Sequence, residues 1–519
     1  MDSVDSPVWW RDAVIYEVYV RSFADTDSDG IGDLTGIAEH LPYLRDLGVD
    51  AIWLTPFYRS PMVDGGYDVA DHRDVDPLFG TLADFDKLLS RAHELGIRLV
   101  IDIVPNHSSA AHPWFTAALS SWPDRERYVF RAGRGPDGAE PPNDWESVFG
   151  GTAWTRVPDG QWYLHLFDPS QPDFNWQHPE VRAEYESILR FWLDRGVDGI
   201  RIDVAHGLVK ADGLPDVGYP DQMRLHSKAV LPYWDQDDVH AIFRAWRRVL
   251  DSYPGDRMAV AEAWVSPPER LCRYVAADEL HQAFNFDFLQ AAWSAAEYRE
   301  VIDACLAASS LVGATTTWVL SNHDVQRHAT RLGSLARARA ATLLMLALPG
   351  SAYLYQGEEL GLPEVLDLPD EARQDPQWRR SDGRKLGRDG CRVPMPWSGA
   401  APPFGFSAAP ATWLPAPAAW ASLTVAAQEH DPGSTLSLYR EALRIRRSLP
   451  GDTGPLAWHE SPAGVLDFTG RGGVRCVVNL GTTPVPLPKG YGQPMLASGP
   501  LAAGQLPPDT TGWLSPHRR

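Results

Sequence analysis

Long apolar runs are missing from these 519 residues. The longest, around 340–349, falls well short of the roughly 20 residues that a membrane-spanning helix needs, so no bilayer crossing is expected. Cysteine is scarce: Cys272, Cys305, Cys391 and Cys476 lie far apart, with no CxxC pair among them. That excludes a disulfide framework and a cysteine zinc site, and it suits a reducing compartment, so the expected location is cytoplasmic. The opening MDSVDSPVWWRD has neither a basic stretch nor an apolar centre, and it is not expected to act as a secretory signal. Basic residues are also in deficit: 47 Lys and Arg against 68 Asp and Glu leave a formal charge of −21. Nucleic acid and anionic membrane both select a basic face, so neither is expected as a partner. The chain contains no internal repeat, and nothing in it indicates an oligomeric state.

What it does contain is an alternation of short β-branched runs and amphipathic stretches. AVIYEVYV (13–20), AIWL (51–54), RLVIDIV (98–104), GIRID (199–203), MAVAEAW (258–264), AFNFDF (283–288), TTTWVLS (315–321) and SAYLYQ (351–356) read as buried strands. Helices are expected over Thr35–Asp46, Leu82–Leu95 and Thr435–Leu449. Eight strand–helix units favour an α/β fold closed as a (β/α)8 TIM barrel. The rhythm breaks between 106 and 175, a Gly-, Pro- and Trp-rich segment with no good helix, which reads as a domain inserted after the third strand. A second irregular stretch, 361–430, is expected to form long loops over one barrel face. Past residue 450, VLDFTG and VRCVVNL suggest a small C-terminal antiparallel β-domain. The resulting division is 1–105 and 176–450 for the barrel, 106–175 for the insertion and 451–519 for the tail.

Barrels of this kind carry their chemistry at the carboxyl ends of the strands. Those ends hold Asp102, Asn106 and His107; Arg201 and Asp203; Glu262; and Asn322, His323 and Asp324. One strand-end Asp is commonly a helix cap. Asp203, Glu262 and Asp324 converging from three strand ends, with an Arg and two His residues among them, are hard to explain that way.

In these residues the chain resembles the α-amylase superfamily. DIVPNH (102–107), GIRIDVAHG (199–207), AEAW (261–264) and VLSNHD (319–324) look like its four signature segments, in order. QPDFNW (171–176), QGEELG (356–361) and GRDGCRVPMPW (387–397) resemble the α-glucosidase and oligo-1,6-glucosidase branch, particularly actinobacterial α-glucosidases. The resemblance implies that Asp203 is the nucleophile, Glu262 the general acid and base, and Asp324 the binder of the first sugar's hydroxyls. Arg201 would keep Asp203 ionised, and His107 and His323 would donate hydrogen bonds to the same glucose. Tyr67 would stack on that glucose, with Asp68 paired to Arg392 closing the pocket behind it, and Phe149 would pack on the leaving side. Val204, after the nucleophile, resembles α-1,6-cleaving members, whereas the surrounding DVAHG looks more like maltases. The activity implied is that of an exo-acting, retaining α-glucosidase on short α-glucosides, α-1,4-linked foremost, with transglucosylation possible. The alternatives are an oligo-1,6-glucosidase, or a trehalose- or sucrose-acting hydrolase or isomerase.

DTDSDGIGD (25–33) sets Asp25, Asp27, Asp29 and Asp33 at alternate positions with the Ile31 carbonyl between. This is the first part of an EF-hand-type oxygen cage, although Gly36 stands where an EF-hand has Glu. The resemblance implies a structural Ca2+ or Mg2+ there. No organic cofactor is expected.

Overall fold

In the computed structural model, residues 8–451, 455–502 and 504–515 are described; the opening seven lie outside them. The barrel strands are β1 (Val14–Val18), β2 (Ala51–Leu54), β3 (Arg98–Ile103), β4 (Gly199–Ile202), β5 (Met258–Ala261), β6 (Gln282–Asn285), β7 (Thr317–Val319) and β8 (Ser351–Tyr355). Each pairs in parallel with the next, and β8 closes on β1. Around them lie α1 (Leu34–Leu47), α2 (Leu82–Glu94), α3 (Pro179–Asp194), α4 (Val239–Asp251), α5 (Ala295–Leu311), α6 (Leu335–Ala347) and α7 (Thr435–Ser448). The unit after β5 has only short helical turns over 268–275.

Strand side chains alternate between two cores. Ile15, Trp53, Val100, Met258, Val260, Phe284, Val319 and Tyr353 fill the barrel interior. The residues between them, including Tyr16, Ile52, Leu99, Ile101 and Ala259, meet the surrounding helices. A parallel sheet covered on both faces needs apolar residues in both phases, which is why these strands read as continuous hydrophobic runs. Helix starts follow their caps: Thr81 and Asp84 form a reciprocal capping box at α2. Gly48, at φ 101°, ends α1 in the left-handed conformation that favours glycine. AFNFDF departs from the expected strand. The Asn285 side chain accepts from the Phe288 amide, and so caps a short helix at Phe286–Gln290 instead.

Between β3 and α3 lies a three-stranded antiparallel sheet in the order Phe130–Ala132, Gln161–Leu164, Trp154–Arg156. A short helix, Pro113–Ala118, precedes it, where none was expected. Trp145, Trp154 and Leu164 of this insertion pack with Leu214, Leu231 and Trp234 from the loop after β4. The tail forms a five-stranded antiparallel sheet in the order Ala457–Trp458, Val465–Thr469, Arg475–Asn479, Thr510–Leu514, Leu496–Ala497. It docks on α6 through Thr511 and Trp513, which donate to the Ala340 and Leu343 carbonyls. Among the described residues no helix is long and apolar enough to cross a membrane.

Candidate active site

The inward phase that is apolar low in the barrel turns polar at its carboxyl end. Ile15 is followed by Glu17, Val100 by Asp102 and Val260 by Glu262, while β4 contributes Arg201 and then Asp203. Asp203 and Glu262 lie one residue past their strands and are still held in line. The Asp203 amide donates to the Ile103 carbonyl and the Glu262 amide to the Ile202 carbonyl, each at 2.9 Å. Two-residue periodicity thus delivers these side chains to one buried cluster.

Arg201 is its hub. One guanidinium nitrogen lies 3.0 and 3.1 Å from the two Asp102 oxygens and 2.5 Å from Asp203 Oδ1; the other is 3.8 Å from Glu262 Oε2. Burial pushes the Asp203 and Glu262 carboxyls up; Arg201 pulls both down, and the neighbouring carboxylates push up again. The guanidinium is closer to Asp203 by more than an ångström and so favours charge there, while the Val204 amide favours the charged form of Glu262. Asp102, raised to about 7 by burial against the opposing pull of Arg201, completes the cluster.

Val204 joins the pair. It adopts φ 46°, a costly conformation for a β-branched residue, and its amide donates to Glu262 Oε2 at 2.7 Å. Its side chain is buried with the Trp145–Trp234 cluster. Trp264 stacks on Phe286 at 3.9 Å, beside Glu262.

On the other side stands Asp324. Arg388 reaches its Oδ1 at 3.0 Å and Arg392 reaches the same atom at 2.9 Å, while His323 Nε2 is 3.2 Å from Oδ2. Burial pushes Asp324 up, but His323, Arg388 and Arg392 outweigh it and hold the carboxyl well below the usual carboxylate range. The expected Asp68–Arg392 pair does not form. Asp68 turns away to accept from the Val63 and Asp64 amides at 3.0 Å, and burial raises it to about 6. The carboxylate brought to this arginine cluster is instead Asp64, 2.6 Å from Arg388, which also holds Asp375 at 2.6 Å. The reason lies in the backbone: Asp68 caps the tight turn over 63–68, so its oxygens are already committed.

The remaining residues frame this end. Tyr67 donates to Asp102 Oδ2 at 3.0 Å, and its ring stacks on His323. His107 places Nε2 3.1 Å from the Tyr67 carbonyl and 3.1 Å from the Gln171 amide, so it fastens Tyr67. Its contacts in the protein differ from the free donor expected of it. Phe149 lies under Arg388, 5.0 Å from the guanidinium, and edge-on to Phe167. It therefore packs on the Asp324–Arg388 side of the cluster. Sequence reasoning missed Glu17, Asp64, Asp375 and Arg388. Arg388 sits inside the GRDGCRVPMPW stretch, and Glu17 is a charged residue in the inward phase of a buried strand; both signals were there to be used.

At the acidic loop, carboxylate oxygens of Asp25, Asp27 and Asp29 lie within 4.8 Å of one another. Amides of Ser28 and Gly30 orient Asp25, that of Asp29 orients Asp27, and that of Ile31 orients Asp29. Asp33 stands outside this group of three. It caps α1 by accepting from the Gly36 amide at 2.7 Å and binds Thr26. An all-oxygen donor set of this kind fits a hard cation.

Two buried carboxyls about one arginine, with a third carboxylate held by two more arginines, form a donor set that suits glycoside hydrolysis. The chain belongs to the α-amylase family, whose catalytic domain it matches over residues 17–450; residues 433–513 match a domain of unknown function, DUF3459. It is 40% identical to a probable α-glucosidase of Rhizobium meliloti (strain 1021), over 91% of this chain and 89% of that one. It is 36% identical to an oligo-1,6-glucosidase of Parageobacillus thermoglucosidasius, over 85% and 84%. Among solved structures, the α-glucosyl transfer enzyme XgtA superposes with a TM-score of 0.88 at 37% identity, covering 98% of this chain and 99% of its own.

Proposed function

We propose that this chain is an exo-acting, retaining α-glucosidase that releases glucose from the non-reducing end of short α-glucosides. The observation that carries this reading is Arg388, bonded at once to Asp64, Asp324 and Asp375. Guanidinium and carboxylates meet across the far end of the pocket, where a second glycone sugar would otherwise lie. Asp203 attacks the anomeric carbon while Glu262 gives its proton to the leaving oxygen; Glu262 then takes a proton from the water that releases glucose. Asp324, His323 and Arg392 bind the hydroxyls of the reacting sugar, and Arg201 keeps Asp203 charged.

The preferred linkage in this reading is α-1,4, with transglucosylation as a side reaction because the glucosyl-enzyme accepts any hydroxyl that reaches it. The probable α-glucosidase among its relatives supports the glucosidase reading, and the α-glucosyl transfer enzyme supports the transfer reaction. Oligo-1,6-glucosidase activity is the second reading, favoured by Val204 and by the oligo-1,6-glucosidase relative. Asp25, Asp27 and Asp29 would hold one Ca2+ or Mg2+, with the Ile31 carbonyl and Asp33 as further ligands, as a structural ion. Four free, buried cysteines support a cytoplasmic home.

The test is digestion of maltoheptaose with products followed from the first minutes. Glucose with maltohexaose as its only partner is the expected result. An early mixture of mid-length fragments would mean an open cleft and endo action. Maltose and isomaltose supplied separately decide the linkage.

A further inference from the structure

We propose that Glu17, at the carboxyl end of β1, is a positioning residue that keeps the Glu17–His323 pair doubly protonated, so that His323 Nε2 is an N–H donor facing the sugar beside Asp324. This rests on the reading of that pocket as a glucose site.

His323 is enclosed. Its ring stacks against Tyr67 at 5.1 Å and 11° and against Tyr19 at 5.7 Å and 25°, with Trp53 edge-on at 6.0 Å. These contacts set the plane of the imidazole but not its protons. One edge is taken by Glu17, whose Oε1 is 2.5 Å from Nδ1 and 3.4 Å from the His323 amide. On the other edge, Nε2 lies 3.2 Å from Asp324 Oδ2, off the line of a hydrogen bond and without another partner.

One imidazole therefore sits between two carboxyl groups. Suppose Glu17 were ionised and His323 carried a single proton. That proton would lie on Nδ1 to serve Glu17, and the bare Nε2 lone pair would face the Asp324 carboxylate, acceptor against acceptor. Asp324 cannot relieve this by taking a proton, because Arg388 and Arg392 hold it ionised. One more proton on the pair removes the conflict. Whether it rests on Glu17 or on Nδ1, Nε2 is then an N–H, and the pair is neutral overall.

The surroundings favour that state. Glu17 and His323 are both fully enclosed, and Asp102 and Asp324 face Glu17 with like charge, against Arg201 alone of opposite charge. Burial disfavours a lone imidazolium at His323 without its Glu17 counter-charge; Asp324 opposes this, and Arg392, Arg201 and Arg388 add to it. Burial pushes the Glu17 carboxyl well up, in the same direction. A carboxyl group at the carboxyl end of the first strand thus acts on the sugar through the protons of a histidine 306 residues away.

The test uses the full-length protein with 15N-labelled histidine. Nitrogen shifts of His323, assigned by the signal lost in His323→Gln, report directly whether Nε2 carries a proton. Protonated Nε2 in the wild type at neutral pH is expected, and a bare Nε2 there would overturn the proposal. This readout needs no turnover, so it separates the proposal from the glucosidase reading, which fails if the wild type releases no glucose. Glu17→Gln can still donate to Nδ1 and is expected to stay within about fivefold of wild-type kcat. Glu17→Leu removes the partner and should lower kcat by about 10²-fold, as loss of an aimed donor does. KM should change much less, and the His323 signal should move to a tautomer mixture. A Glu17→Leu protein that keeps wild-type kcat also overturns the proposal. If that variant does not fold, the wild-type spectrum decides.

Discussion

Replacing Arg388 with alanine removes three ion pairs at one stroke, and the structure sets the size of the effect. Asp64 and Asp375 have side chains only 4% and 0% exposed, so both would be left as buried carboxylates lacking their guanidinium. Breaking a buried pair costs about 3–5 kcal/mol. Here the lower end applies, because Asp64 keeps the Gln171 amide at 3.1 Å and Asp375 keeps the Gln377 amide at 2.7 Å. Asp324 is better protected, since Arg392 remains at 2.9 Å. Its charge survives while its orientation loosens, which removes about 2 kcal/mol of sugar binding, or roughly thirtyfold in kcat/KM. Maltose kinetics, thermal unfolding and the maltoheptaose product pattern read the three consequences. Fragments other than glucose should appear as the end of the pocket opens. Asp64→Ala and the double variant complete a cycle with a coupling of about 1–3 kcal/mol. Strict additivity, with kcat/KM within threefold of wild type, would refute the idea that Arg388 and Asp64 close the site together.

Asp203→Asn should abolish turnover while glucose still binds, as measured by calorimetry, because only the attacking charge is lost. Glu262→Gln should harm poor leaving groups far more than activated aryl glucosides, and equal loss on both would remove Glu262 from the acid role. Chelation of the acidic loop should lower the melting temperature, restored by added Ca2+, because an ion that binds only the folded loop stabilises by mass action; metal analysis finding none at saturating Ca2+ counts against the site. Glu358 is raised by burial to about 8 from 4.5. Between those values the folded chain holds a proton that the unfolded chain has released, so the stability from this group is full below pH 4.5 and lost as pH rises through 8. Glu358→Gln, neutral and isosteric, should flatten the fall in melting temperature between about pH 5 and 8; an unchanged slope would show that Glu358 does not hold its proton across that range.

Much of this protein follows from short-range pattern. Seven of the eight strands lie within the segments that their composition marks, and β6 starts one residue before its segment, because a buried parallel strand needs apolar residues in both phases over three to six positions. Asp203, Glu262 and Arg201 reach the centre because a period of two carries the inward phase one step past each strand. Errors arose where a side chain had two competing partners. Asn285 ended a strand early by capping a helix, and Asp68 was taken by the amides of its own turn in place of Arg392.

What sequence by itself determined is therefore the barrel, the three acidic positions and the family, each written within a few residues of itself. What only the tertiary structure decided is partnership. Arg388 and Arg392 lie four apart on either side of a helical turn at Asp389–Cys391, and nothing local states which of them meets which carboxylate. That depends on how the 361–430 loops fold back over the barrel mouth, bringing Arg388 to Asp64 across 324 residues and leaving Asp68 to its own turn. An ion pair forms where two charges are left without nearer partners, and that balance exists only once the whole chain has closed around it.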